Sequence, residues 1–201
     1  MPKDLFFTLS KEKQSKIINA AIDEFSKEVY QEASINQIVK KGEISRGSFY
    51  QYFDDKDDLY FYILENIIKV AVSSITIHKI ETTQVSILSA NRALFIFNLN
   101  LLADKQYEDL FRNLFLSMNQ HLQQKFKKIT DKWKEILLNT TYDKEGILEE
   151  ESRSIKELMN ILELINRDLL TKKIVNGMDD KSILELYDYR IQVLSNLNTL
   201  V

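Results

Sequence analysis

Apolar residues recur at every third or fourth position along most of the chain, the spacing that places them on one face of an α-helix. The first such segment begins after Ser10, a residue suited to the N-cap of a helix, and runs to about Val29. Its apolar positions fall into two rows: Ile17, Ala21 and Phe25, and then Ile18, Ile22 and Val29. The pattern predicts an amphipathic helix with one buried stripe.

The same spacing predicts eight further helices. Ser34, Ser45 and Asp55 stand where the next three begin, and Ser34 with Gln37 matches a capping box, in which two side chains satisfy amides of the first turn. A break at 42–43 separates the second and third helices, which is the geometry of a helix-turn-helix unit. The fourth helix is predicted to end at about residue 80, and the others cover residues 86–102, 104–118, 120–138, 146–177 and 179–197.

Turn-forming residues are scarce. The chain contains one proline and four glycines, and neither type occurs between Tyr60 and Glu145. Because strands joined by tight turns need many more such residues, the chain is predicted to be all-α, with about nine helices. The sequence has no Ser-, Gly- or Pro-rich linker, so any two domains are expected to meet at a rigid junction.

Composition narrows the class of protein further. Hydrophobic residues make up 44% of the 201 residues and charged residues 28%, which is typical of a soluble globular protein. Cysteine is absent, which excludes disulfides and thiolate metal sites and fits a reducing cytosol. No segment has the pattern of a signal peptide or a membrane span. The net charge of −3 gives no support for nucleic-acid binding, so that hypothesis rests on local chemistry.

The stretch "ISRGSFYQYFDDKDDL" concentrates that chemistry. It places four aromatic residues, Phe49, Tyr50, Tyr52 and Phe53, within five positions, next to Gly47 inside a short predicted helix. Glycine in a helix interior costs about 1 kcal/mol relative to alanine, so its presence calls for a reason. Aromatic clusters are more often core than binding site, but a helix this short cannot turn all four residues inward.

Residues 10 to 64 resemble the DNA-binding domain of the TetR family of helix-turn-helix regulators. The family's first helix has an Ala-Ala pair followed by Phe, matched by Ala20, Ala21 and Phe25. Its recognition element is matched by Ser45, Gly47, Ser48, Phe49, Tyr50, Phe53 and Lys56 in the family's order and spacing. The chain departs from the family in having Val29-Tyr30 for Gly-Tyr and Gly42-Glu43-Ile44 for Ala-Gly-Val.

The resemblance implies a three-helix DNA-binding domain, residues 1–56, joined through a shared helix to a C-terminal helical bundle, residues 57–201. The third helix is expected to lie in the major groove, and Gly47 is expected to let its backbone approach DNA or the second helix. The expected DNA-binding residues are Ser34, Gln37, Ser45, Arg46, Gly47, Ser48, Tyr50, Gln51, Tyr52 and Lys56.

For the bundle, the resemblance implies an effector pocket and a two-fold dimer interface. The expected pocket residues are Arg92, Tyr107, Phe111, Phe115, Met118, Trp133 and Asn160, although apolar residues at helical spacing are more often plain core. The expected interface residues, on the last two helices, are Ile155, Leu158, Leu162, Ile165, Leu169, Leu184, Tyr187, Ile191 and Leu194.

The expected function is that of a cytoplasmic homodimeric repressor, released from a near-palindromic double-stranded DNA operator by an unidentified small-molecule effector. No cofactor or metal is expected. The alternative is a helical protein-interaction module that keeps the regulator's fold without reading DNA. An enzyme is not expected, because the zinc-protease motif, the P-loop, the dinucleotide fingerprint and the nucleophile elbow are all missing from the sequence.

Overall fold

The computed structural model describes residues 1–81, 87–141 and 149–197, with side chains over 1–73, 87–136 and 153–196. Every regular element in these ranges is an α-helix, which confirms the all-α prediction. None of these helices combines the length and the hydropathy that a membrane span requires. The helices are α1 (Asp4–Phe7), α2 (Lys11–Lys27), α3 (Ile35–Lys41), α4 (Arg46–Tyr52), α5 (Lys56–Glu81), α6 (Ile87–Leu101), α7 (Lys105–Leu116), α8 (Gln120–Thr141), α9 (Glu149–Asn176) and α10 (Asp180–Leu197).

The chain divides into two compact units. Unit 1 comprises Met1–Val70 and Leu102–Lys132, and unit 2 comprises Ala71–Leu101 and Trp133–Val201. The boundaries between the units fall within α5, after α6 and within α8, and the domain division at residue 56 stays a prediction. Helices α7 and α8 contribute to unit 1 because Leu110, Leu114 and Leu122 belong to its hydrophobic core.

Helix α2 crosses the core of unit 1 and packs against α3 and α7. It begins as predicted, since the Ser10 hydroxyl accepts a hydrogen bond from the backbone N–H of Lys13 at 3.3 Å. The predicted stripe is buried from Ile17 to Phe25, which are 0% and 1% exposed. Burial of this apolar face, rather than helix propensity, provides most of the stability of such a helix.

The end of α2 is held by α7. The helix stops at Lys27, two residues before the predicted end, and Glu28 is already extended. The last carbonyls of a helix lack intrahelical donors. Here the Asn113 amide of α7 donates to the carbonyls of Phe25 and Ser26 at 3.1 and 2.9 Å. The end of α2 is therefore capped by a side chain from a helix that is distant in the sequence, whereas many other helices end at a glycine.

The start of α3 corrects one prediction. Ser34 is the N-cap residue, but its side chain makes no capping hydrogen bond, so the capping box with Gln37 is wrong. Instead, the backbone N–H of Ser34 donates to a carboxylate oxygen of Glu24 on α2 at 2.9 Å. Glu24 is 5% exposed, and this contact ties the start of α3 to α2.

Two adjacent residues shape the turn between α3 and α4, Gly42 through its missing side chain and Glu43 through its backbone conformation. A Cβ at Gly42 would lie 3.0 Å from the Ile38 carbonyl oxygen and 3.5 Å from Cα of Ile17, so the absent side chain lets α3 approach α2. Glu43 follows with φ of +52°, in the left-handed region that favours glycine. The departure of this chain from the family's Ala-Gly-Val turn therefore places a glutamate where the backbone suits glycine.

Unit 2 contains α6, α9 and α10 around two apolar clusters. A buried polar network lies among them: Asn91 donates to the Tyr187 hydroxyl at 2.7 Å, and Asn166 donates to the Asn91 amide oxygen at 2.9 Å. The Tyr187 ring stacks on Phe95 with centroids 4.5 Å apart. Buried amides that satisfy one another fix the register of the three helices, since any slip would leave polar groups unpaired.

Glycine at position 43 is expected to give a more stable protein than alanine at the same position. Glu43→Gly and Glu43→Ala both lose the ion pair with Lys16, whose Nζ lies 2.5 Å from the carboxylate, but only glycine relieves the left-handed backbone. Glu43→Gly is therefore expected to exceed Glu43→Ala in free energy of unfolding by about 1 kcal/mol, measured by urea denaturation. Equal stabilities would show that the turn is unstrained.

Candidate nucleic-acid interface

Helix α4 has two faces of opposite character. Phe49 and Tyr52 are 0% and 6% exposed and face the core of unit 1. Arg46, Tyr50 and Gln51 are exposed on the other side. Positions three and four residues apart share a helix face, so the buried aromatic side forces the intervening residues outward. The helix thus presents hydrogen-bonding side chains to solvent.

The first turn of α4 is fixed by two serines. The Ser45 hydroxyl accepts a hydrogen bond from the backbone N–H of Ser48 at 2.9 Å, and the two hydroxyl oxygens lie 2.8 Å apart. Gly47 is exposed here, and a Cβ on it would meet only Ser45 Oγ, at 3.7 Å. The expectation that Gly47 allows close approach to the second predicted helix, α3, is therefore wrong, and its approach to DNA stays a prediction.

Arg46 is held at the surface by two neighbours. Its guanidinium donates to the Asn36 side-chain oxygen on α3 at 2.8 Å and lies 5.9 Å from the centre of the Tyr50 ring. Asn36 was missing from the sequence prediction, because only the packing of α3 against α4 brings it beside Arg46. The arginine is exposed and held in one orientation, and some of its five N–H donors are already hydrogen-bonded.

Lys56 is placed differently from the expectation. Its ammonium donates to the carbonyls of Tyr30, Gln31 and Ala33 at 2.6, 3.1 and 2.8 Å, which uses all three of its donors. Burial lowers the pKa of Lys56, and the nearby acidic groups Glu32 and Glu24 act in the opposite direction. The side chain therefore binds the loop before α3, and a phosphate would have to replace these bonds.

The remaining expected DNA-binding residues divide into two groups. Ser34 is half-buried and Gln37 is exposed, both at the start of α3. Ser34 and Asn36 line an open concavity of about 200 Å³ together with Arg46 and Lys56. Tyr52, by contrast, is buried, with its ring edge-on to Phe6 at 6.3 Å, so the expectation that it faces a phosphate is corrected.

Residues 17–63 match the sequence model described as "Bacterial regulatory proteins, tetR family". The match covers most of α2, all of α3 and α4, and the start of α5. The chain is also 42% identical over 60 residues to the HTH-type transcriptional regulator HbdR of Aromatoleum sp. (strain CIB). A second relative, the uncharacterized HTH-type transcriptional regulator YvdT of Bacillus subtilis (strain 168), is 43% identical over 56 residues. Residues 17–63 are therefore similar to the helix-turn-helix domain of the TetR family.

The chain spans less than a third of the length of the two relatives that it matches. The matches cover 30% and 28% of this chain and only 26% and 29% of the two relatives. The fold as a whole is similar to that of a TetR-family protein from Syntrophomonas wolfei str. Goettingen, with a TM-score of 0.64 and 21% identity over 92% of this chain and 95% of the other. The sequence model that residues 17–63 match describes regulatory proteins, not enzymes.

Next to Lys56, the buried Asp57 is the centre of an ionic cluster. Its carboxylate accepts hydrogen bonds from the Tyr30 hydroxyl, from His121 at 2.6 Å and from Lys125 at 2.5 Å. Burial tends to raise the pKa of Asp57, but the bonds from Lys125 and His121 outweigh it and hold the pKa below its ordinary value. The cluster joins the loop before α3, the start of α5 and the first turns of α8.

The expected pocket residues are distributed over both units. Tyr107, Phe111, Phe115 and Met118 lie in unit 1, where all but Phe115 pack against its core, while Arg92, Trp133 and Asn160 lie in unit 2. The Arg92 guanidinium pairs with the Asp188 carboxylate at the surface, at 2.8 Å, and Asn160 is exposed. The effector pocket stays a prediction.

The expected dimer residues lie in, or pack against, the apolar clusters of unit 2. Leu162, Leu169 and Tyr187 are at most 1% exposed within the single chain. The others, Ile155, Leu158, Ile165, Leu184, Ile191 and Leu194, pack against the two clusters of unit 2. The stripe on α9 and α10 is therefore core, because these helices turn their most continuous apolar face toward α6 and toward each other.

Removing the Asp57 charge is expected to destabilise the protein in a pH-dependent way. Asp57→Asn leaves Lys125 and His121 without their anion and is expected to cost about 1–2 kcal/mol at pH 7, since both partners are partly exposed. A lowered pKa stabilises the fold above the ordinary value of 3.8, and this contribution is lost as the pH falls through the lowered pKa.

The difference between wild type and Asp57→Asn is therefore expected to shrink between pH 7 and pH 3, measured by urea denaturation. Glu12→Gln, a change of an exposed carboxylate in the first turn of α2, is the matched control. A difference that stays constant over this pH range would rule out the ionic contribution.

Proposed function

We propose that this protein is a cytoplasmic, homodimeric transcriptional repressor of the TetR family that binds a near-palindromic operator and is released by a small molecule. The observation that carries the proposal is the exposed polar face of α4. On the opposite side of this helix, Phe49 and Phe53 are fully buried in the core. The exposed residues of this face are Arg46, Tyr50 and Gln51, and each carries hydrogen-bonding groups that suit base edges or phosphates.

Each exposed residue has a DNA group that suits it. Arg46 can fork to the O6 and N7 atoms of guanine, and Gln51 can pair with adenine through two hydrogen bonds. Tyr50 suits a phosphate. Residues 1–56 contain nine Lys or Arg and nine Asp or Glu, so the net charge is 9 − 9 = 0. Non-specific attraction to phosphates is then weak, and affinity depends on well-placed contacts.

The proposed dimer uses the outer faces of α9 and α10. Leu164 and Val175 of α9 are both 56% exposed, and Tyr189 and Val193 of α10 are 63% and 43% exposed. These residues lie away from the buried stripe of the same helices. A two-fold axis would pair the α9–α10 surfaces of two chains in a four-helix contact and set two α4 helices one DNA turn, about 34 Å, apart.

The effector part of the proposal follows from coupling. Helix α7 caps the end of α2, and α8 contacts Asp57 at the start of α5, so movement of either helix changes the support of the DNA-binding helices. A small molecule that prefers one arrangement weakens operator binding by a coupling free energy of about 1–3 kcal/mol, and operator DNA weakens effector binding equally.

Arg46→Ala is expected to reduce the preference for operator over random DNA by about 1–3 kcal/mol, because one bidentate base contact is lost. A gel-shift titration at several salt concentrations measures this, first with DNA from upstream of the protein's own gene. The control is Arg153→Ala, the same change at an exposed position of α9. If wild-type protein binds this DNA and a random duplex equally, and selects no sequence from a random pool, the proposed function fails.

Leu164→Glu and Tyr189→Glu are each expected to convert the dimer to a folded monomer, because a charge replaces an apolar contact at the proposed two-fold interface. Sedimentation equilibrium measures the mass, and circular dichroism verifies that the chain is folded. Leu116→Glu is the matched control, since Leu116 is a 67% exposed leucine of unit 1. Dimers in both interface variants would place the interface elsewhere.

A further inference from the structure

The segment that precedes α2 is bonded to the end of α4. The backbone N–H of Lys3 donates to the Tyr52 carbonyl at 2.8 Å, and the Lys3 ammonium donates to the Tyr50 carbonyl at 2.9 Å. This segment lies outside residues 17–63, where the family match is found. The contacts are therefore a feature of this chain that the match does not cover.

The two carbonyls are ones that α4 leaves open. In a longer helix the Tyr50 carbonyl would accept from the backbone N–H of Asp54, but that N–H donates to the Asp58 carboxylate at 3.1 Å. The Phe49 carbonyl is already satisfied by the N–H of Phe53. Lys3 thus provides the C-terminal cap of α4 from 47 residues away in the sequence.

Phe6 anchors the same segment in the core. It is 0% exposed, and its ring centre lies 5.0 Å from that of Phe53 and 5.7 Å from that of Tyr62. The link from α1 to α2 is held by the buried amide of Gln14, which donates to the carbonyl oxygens of Phe7 at 3.3 Å and Leu9 at 2.8 Å. A four-residue helix has no stability of its own, so these contacts are what fix its position.

We propose that Lys3 is a positioning residue for DNA readout: with Phe6 it braces the C-terminal end of α4 and sets where Tyr50 and Arg46 point, without touching DNA. The ammonium of Lys3 is neutralised by Asp54, whose carboxylate lies 2.7 Å away, which leaves it little charge for a phosphate. The Tyr50 hydroxyl lies 3.5 Å from the Arg46 guanidinium, so a shift of the Tyr50 backbone moves both side chains. This inference rests on the proposed function.

The test is Lys3→Met, which keeps most of the apolar stem and removes the ammonium. The control is Lys27→Met, which removes a lysine of the same unit that pairs with Asp23 at 2.6 Å and makes no bond to α4. Dissociation constants are measured for the duplex that wild-type protein selects from a random-sequence pool and for a random duplex, each at several salt concentrations.

Lys3→Met is expected to bind the selected duplex about tenfold more weakly, as for the loss of one base contact, while its affinity for the random duplex and its salt dependence stay unchanged. An equal loss on both duplexes with a salt slope reduced by about 0.9 would identify Lys3 as a phosphate contact and overturn the proposal. Unchanged discrimination would overturn it as well. Phe6→Leu, which preserves an apolar core residue, is expected to reduce discrimination in the same way.

Amide hydrogen exchange separates this inference from the proposed function, because it needs no DNA. In Lys3→Met the amides of α4 are expected to exchange faster, with the thermal unfolding midpoint within about 2 °C of wild type, as for a change at a partly exposed surface residue. If wild-type protein selects no sequence, the proposed function fails, and exchange at α4 then decides alone whether Lys3 holds the helix. Unchanged exchange of the α4 amides in Lys3→Met would show that Lys3 does not hold the helix.

Discussion

The candidate interface depends on the burial of an aromatic base beneath a helix too short to form alone. Isolated helices of fewer than about 12–15 residues are marginal in water, and α4 has seven residues. Phe49 within the helix and Phe53 at its C-cap are 0% exposed, and burying a side chain of this size contributes about 1.5–3 kcal/mol. The same packing fixes the rotation of the helix, which is why Arg46 and Gln51 face solvent. Burial of these aromatic side chains therefore both stabilises the helix and determines which of its faces is exposed.

A second constraint is that the ends of the helices in unit 1 are closed by residues distant in sequence. Asn113 satisfies carbonyls at the end of α2, Lys56 satisfies the carbonyls of the loop before α3, and Lys3 satisfies those at the end of α4. A helix capped by its own neighbours keeps its end when the surroundings move, but a helix capped from afar does not. The position of α3 and α4 is therefore a property of the whole unit, and α7 and the segment before α2 both contribute to it.

The distinction between local and distant contacts also explains which predictions succeeded. Ser10 and Ser45 cap their helices as the sequence indicated, since an N-cap side chain and the backbone N–H that donates to it lie within one turn. The apolar stripe of α9 and α10 was recognised, but periodicity does not reveal whether a stripe meets its own chain or a partner, and the prediction for residues such as Leu162 was wrong. Asn36, Asn113 and Lys3 carried no signal, because a polar residue has the same local sequence pattern whether its partner is water or a group distant in the sequence.

Charge makes the geometry more important than it would be in a basic DNA-binding domain. A domain of zero formal charge gains little from the attraction between phosphates and scattered lysines. Lys41 is paired with Asp23 at 2.5 Å, and Lys16 with Glu43 at the same distance, so several of its cations are already neutralised by neighbours. Binding energy must then come from a few side chains placed correctly, and a displaced contact cannot be replaced by general attraction. Under the proposed function, residues that hold α4 in place would therefore affect sequence discrimination even where they never reach the duplex.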